Sequence, residues 1–162
     1  MGIRDWLFGE PQPRRHATAA APVRPPASEM PKPVARYKAV DLRGTWDRAV
    51  VGTGWFEKTV AGLPLGPLKV TLRLKPNEDN PYAVAAYVGN RQVGWLATDW
   101  SATDPYVAWV TRLDAAHISP RFQGECKLTV EVTKTKMINF DMPKPEELTT
   151  IADRLLRQFP NP

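Results

Sequence analysis

A chain of 162 residues holds one domain with room for an appendage, and its 22 basic and 17 acidic side chains leave a net +5 that is unevenly placed. Residues 1–36 carry +3 of that excess together with seven of the 17 prolines, so the remaining chain is only mildly basic. The composition excludes several classes. No apolar run approaches the ~20 residues of a membrane-spanning helix, the first residues lack a secretory apolar stretch, and the single Cys126 excludes internal disulfides and CxxC zinc sites.

Met1–Gly9 reads MGIRDWLFG. Ile3, Trp6 and Leu7 fall at i, i+3, i+4, and Phe8 adjoins them, so the segment predicts a short amphipathic turn that needs a surface to dock on. These four residues are the candidate partner-binding set. Residues 10–36 are rich in Pro, Ala and Arg and poor in large apolar side chains, which predicts an extended polyproline-II arm or linker.

From Tyr37 the texture becomes that of a folded domain, taken as residues 37–142, with a C-terminal helix over 143–162 packed on it. Ala49–Gly52 and Trp55–Val60 predict strand on either side of a Gly52-Thr53-Gly54 break. Leu68–Leu74 alternates, with Leu68, Val70, Leu72 and Leu74 inward and Lys69, Thr71 and Arg73 outward. Pro76–Pro81 is a polar turn, and Ala83–Val88, Gly89-Asn90-Arg91 and Gln92–Leu96 form a hairpin. Asp104 or Thr103 as N-cap and Pro105 at N1 open a helix whose buried stripe is Tyr106, Trp109, Val110 and Leu113. Ile118–Gly124 and Glu125–Thr133 predict two further strands, the second with Cys126, Leu128, Val130 and Val132 in phase. Pro145 starts the last helix, with Glu146 and Glu147 placed against its N-terminal dipole and Leu148, Ile151, Ala152, Leu155, Leu156 and Phe159 on one face. Short strands with one inserted and one terminal helix predict an α+β fold, a small partly open β-barrel preceded by a Pro-rich extended arm.

The residues that carry chemistry in common enzymes are sparse. There is no phosphate-binding glycine loop, dinucleotide fingerprint, HExxH or GxSxG motif. Cys126 reads as a core thiol, His117 as a cap at the end of the Trp109 helix, and Glu78-Asp79 as a solvated turn. Two histidines, His16 and His117, cannot build a histidine-rich metal centre. No catalytic residue, metal or cofactor is expected. The aromatics Trp46, Trp55, Phe56, Tyr82, Trp95 and Trp100 all lie near strand ends or loops, where flat rings beside basic residues form stacking platforms for unpaired bases. Lys58, Arg73, Lys75 and Arg91 are the basic neighbours.

Val50–Phe56 (VVGTGWF), Val70–Leu74, Pro76–Val88 (PNEDNPYAVAAYV) and Gly89–Leu96 (GNRQVGWL) follow one another in an order and spacing that resembles the HIRAN domain, over residues 46–132. That resemblance implies a small barrel of OB or SH3-like type that binds single-stranded DNA or DNA ends. It implies base stacking by Trp55 and Phe56, and by Tyr82 where Asn80-Pro81-Tyr82 meets the family's Asn-Pro-Tyr turn. The family's Asp after that Tyr, and the Asn of its Asn-Ala-Val, have no equivalents here, and Gly54 stands where a basic residue precedes the aromatic pair. Together the residues and the resemblance predict a non-catalytic nucleic-acid-binding module of the small bacterial or phage type. Trp55, Phe56, Tyr82 and Trp95 would stack on bases and Arg73, Lys75 and Arg91 would neutralise phosphates, with weak, salt-sensitive binding and a cytoplasmic location. The alternative is a structural or adaptor subunit, as in a phage virion, whose 1–36 arm binds neighbouring subunits.

Overall fold

In a computed structural model the chain divides into two units, Met1–Val34 and Ala35–Pro162, and the structure describes residues 36–129 and 135–160, all within the second. Among the described residues seven strands are formed: β1 Lys38–Leu42, β2 Trp46–Val51, β3 Gly66–Leu74, β4 Val84–Val88, β5 Arg91–Leu96, β6 Ile118–Leu128 and β7 Lys136–Met142. Three helices accompany them: α1 Glu57–Ala61, α2 Pro105–Ala115 and α3 Leu148–Gln158. Neighbours run β6-β3-β4-β5-β2-β7, and β7 pairs back onto β6, so six antiparallel strands close into a barrel. β1 adds to the outside of this ring, parallel to β6. The architecture is the small α+β barrel expected, with its seam closed.

Alternation sets which face is core. Val70 and Leu72 of β3 and Val84 and Ala86 of β4 are wholly buried, and with Val93, Leu96, Phe122, Ile138, Phe140 and Met142 they fill the barrel. α2 covers this core as its pattern requires: Tyr106, Val107, Trp109, Val110 and Leu113 are all buried, and the Trp109 ring lies 6.2 Å from Phe122. α3 buries Leu148, Ala152 and Leu155, and an Arg112–Asp153 ion pair at 2.6 Å joins it to α2.

Two strand expectations are corrected. Trp55–Val60 is not a strand: a 3-10 turn over Thr53–Phe56 leads directly into α1. Gly52 sits at φ +68, in the left-handed region, and reverses the chain, after which Phe56 and Val60 point to the core four residues apart, a helical spacing. The expected pair Ile118–Gly124 and Glu125–Thr133 is one strand through Gly124, where a side chain is excluded because a Cβ would meet the Asn139 carbonyl oxygen at 2.6 Å. Leu128, expected inward, is exposed at the end of β6. Val130 and Val132 lie outside the described residues.

His117 does end α2, but with its backbone. Ala116 is the C-cap, and His117 follows at φ +54 with its N–H bonded to the Asp114 carbonyl at 2.9 Å. Its own carbonyl accepts from Lys38 N at 2.8 Å, which aligns the start of β1 with β6.

Candidate nucleic-acid interface

The outward residues of β3, β4 and β5 form one surface. Register places Arg73 beside Ala85 and Ala85 beside Trp95, and Thr71 beside Tyr87 and Tyr87 beside Gln92. Trp95 is kept on this face by its partners: Phe56 packs against it with ring centroids 6.3 Å apart. A Cβ on Gly52 would come to 3.0 Å from the Trp95 ring, so the left-handed turn and the indole depend on the same absent side chain.

At this end of the barrel the elements enclose a cleft of about 460 Å³ lined by Trp55, Phe56, Trp95, Trp100, Ala83, Asn77, Asp79 and Asn80. Each wall has a local cause. The 3-10 turn after Gly52 supplies Phe56, half-buried, and Trp55, whose side chain is 89% exposed. The polar turn is closed on itself: Asn77 N donates to the Asn80 carbonyl at 3.0 Å, and Asn80 N donates to Asn77 Oδ1 at 2.7 Å. Asn80 Oδ1 then accepts from Tyr82 N at 2.9 Å.

Trp100 comes from the loop before α2, where it is held at φ +59. A large side chain in that region costs about 1–2 kcal/mol and persists only where its surroundings fix it. Asp104 is the fixing group. Its Oδ1 accepts from Tyr106 N at 2.8 Å and Val107 N at 3.1 Å, capping α2, while its Oδ2 accepts from Asp99 N at 3.0 Å. Asp99 in turn accepts from Ser101 N and Ser101 Oγ, at 3.0 and 2.7 Å. One buried carboxylate therefore couples the helix start to the loop that carries Trp100.

Of the residues singled out in the sequence, Trp55, Phe56 and Trp95 meet in the cleft, and Trp100, named there only as an aromatic, completes it. Tyr82 is exposed beside the polar turn and is not among the lining residues. Asp79, read as part of a solvated turn, is a wall of the cleft. The basic residues stand elsewhere. Arg73 donates through Nε to Ser119 Oγ at 3.1 Å, with its guanidinium 4.9 Å from the Tyr37 ring centroid and 5.5 Å from that of Tyr87. Lys75 donates to Gln92 Oε1 at 2.6 Å, and Arg91 is exposed at the tip of the β4–β5 hairpin. Arg73 and Trp95 are two strand spacings apart, roughly 10 Å.

Trp46 serves a different purpose. Arg48 lies over both Trp46 and Tyr106, at 5.6 and 5.0 Å from their ring centroids, and donates to the Ala97 carbonyl, pinning the end of β5 to β2. Burial pushes the Tyr106 hydroxyl pKa up, and that hydroxyl donates to the Pro143 carbonyl at 2.9 Å. Cys126 faces the barrel core, and desolvation raises its pKa, as for a packed thiol. A second cavity, about 370 Å³ between α1 and the β6–β7 end, is lined by Val60, Ala61 and Leu128 together with Thr53, Glu57, Thr135 and Lys136. Its Lys136 is engaged by the Ala61 and Leu63 carbonyls.

Among the described residues no group of three or more His, Cys, Asp or Glu is placed to hold a metal ion, and no helix is long and apolar enough to cross a membrane. Ile3, Trp6, Leu7 and Phe8, with the rest of the arm, lie outside the described residues. No protein-family model, curated protein or solved structure matches the chain.

Proposed function

We propose that this chain is a non-catalytic nucleic-acid-binding module that takes unpaired bases of single-stranded DNA or a DNA end into the Trp55–Trp95–Trp100 cleft. The observation that carries the reading is Trp55, an indole 89% exposed beside three further aromatic rings in one cleft. An exposed Trp gains little by remaining in water, whereas a base stacked on it contributes about 1–3 kcal/mol. Of the three residues that the HIRAN resemblance assigns to stacking, Trp55 and Phe56 are on its walls and Tyr82 is not.

Charge supports a division of labour. The one charged lining residue is Asp79, which repels phosphate, while Arg73 stands on the outer face of β3 and Lys75 just past its end. A strand would place its bases in the cleft and its backbone toward that face. With two or three cations available, affinity is modest and falls with salt.

Tryptophan fluorescence titrated with short single-stranded oligonucleotides at low salt tests the reading. Quenching is expected in the native chain and is lost in Trp55→Ala, whose stability stays within about 0.5 kcal/mol because the ring packs so little. Absence of quenching in the native chain, or quenching indifferent to Trp55→Ala, removes it.

A further inference from the structure

The chemistry of the cleft's polar wall is more specific than stacking alone. Three indoles, Trp55, Trp95 and Trp100, provide flat apolar surface that accepts any base. The polar turn is where bases can be told apart. Its two asparagines have their side-chain oxygens committed to closing the turn, Asn77 Oδ1 to Asn80 N at 2.7 Å and Asn80 Oδ1 to Tyr82 N at 2.9 Å. Asp79 lies between them in the same hydrogen-bonded turn and lines the cleft; an ionised carboxylate is an acceptor with two oxygens and no donor hydrogen.

A base held against a carboxylate must offer hydrogens. Guanine carries N1–H and N2–H side by side on its Watson–Crick edge, a matched pair for two carboxylate oxygens. Adenine and cytosine each offer one amino group next to a ring nitrogen that is itself an acceptor. Thymine and uracil offer one N–H flanked by two carbonyl oxygens, which the carboxylate repels. We infer that Asp79 makes the cleft selective for guanine and that thymine or uracil is the least favoured base. This rests on the base-stacking reading above and adds a specificity residue to it.

The test compares the full chain against an oligothymidine strand and the same strand carrying one guanine, with guanosine and thymidine as free nucleosides to remove the phosphate contribution. Guanine is expected to bind about tenfold or more tightly than thymine in both formats. In Asp79→Asn, whose amide both donates and accepts, the preference should collapse to about twofold or less, with thymine affinity held or raised. Near-ultraviolet circular dichroism checks that the exposed turn tolerates the change, and Asp79→Ser provides a second variant without a carboxylate. Equal affinity for guanine and thymine in the native chain, with quenching present, overturns the selectivity and leaves the stacking reading standing. A guanine preference that survives both substitutions overturns the role of Asp79. No quenching by either strand or nucleoside overturns this inference together with the reading beneath it.

Discussion

Trp109 and Trp55 carry the same side chain and end at opposite extremes, 4% and 89% exposed. The cause is the backbone each rides on. Trp109 sits in α2 at the spacing that aligns it with Tyr106, Val110 and Leu113, so the helix has one way to bury them all, and Phe122 receives the ring. Trp55 follows a left-handed glycine in a single 3-10 turn, where Phe56 and Val60 take the inward positions and leave Trp55 none. A periodic element absorbs its aromatics into the core. A turn that spends its inward positions on its neighbours presents them.

The sharpest way to break this contrast is to attack the packed side. Phe122 is wholly buried between Trp109 and Phe140, with centroids at 6.2 and 6.0 Å, and lies at the centre of β6, which pairs with β1, β3 and β7. Phe122→Ala should cost about 3–5 kcal/mol, read as a lower urea midpoint with an unchanged slope. A loss under about 1 kcal/mol, the size of a surface change, would mean that the aromatic layer is not the core.

Next in size is the link between the two regions. Asp104→Ala removes the α2 cap and the acceptor that holds the Trp100 loop, and should cost about 2 kcal/mol. Asp104→Asn separates the two duties, because its oxygen can still cap α2 while its NH₂ cannot accept from Asp99 N. The expected result is a melting temperature near that of the native chain combined with weakened oligonucleotide quenching. If the two variants lose stability and quenching in proportion, the loop is not set independently by this carboxylate.

Legibility in the sequence followed the same line. α2 was readable from Asp104-Pro105 and its stripe, α3 from its apolar face, and β3 and the β4–β5 hairpin from alternation and Gly89-Asn90. β1 escaped because its five residues form an edge strand with little buried surface to impose a pattern. β7 does carry a signal, Ile138, Phe140 and Met142 alternating with Met137, Asn139 and Asp141, but it is short and lies between a threonine-lysine run and Pro143. The α1 segment read as strand because Trp55, Phe56 and Val60 are strand-favouring types; the left-handed Gly52 that overrides them is a backbone fact. Of the cleft, Trp55, Phe56 and Trp95 were named from sequence. Asp79 reads from sequence as a solvated turn and Asn80 as part of a family turn, since only tertiary placement distinguishes such a turn from a wall.

The smallest effect belongs to the edge where β1 pairs with β6. Asp41 accepts from Arg121 Nε and Nη2 at 2.6 and 3.0 Å and from Lys69 Nζ at 2.9 Å, a fork across β1, β6 and β3. The Arg121 guanidinium, and after it the Lys69 ammonium, hold the Asp41 carboxyl well below the usual carboxylate range. A carboxyl whose pKa is lower folded than unfolded binds fewer protons in the native state. Its stabilisation is therefore complete above the unfolded value, near pH ~4, and drains away as pH falls toward the folded one. Thermal melts of the native chain and Asp41→Asn should differ slightly at pH 7, differ less in high salt, and converge as the solution is acidified below about pH 3. The exposed fork keeps this difference small at every pH. A gap that widens on acidification would show that Asp41 acts as a packing residue of the edge strand and not through its charge.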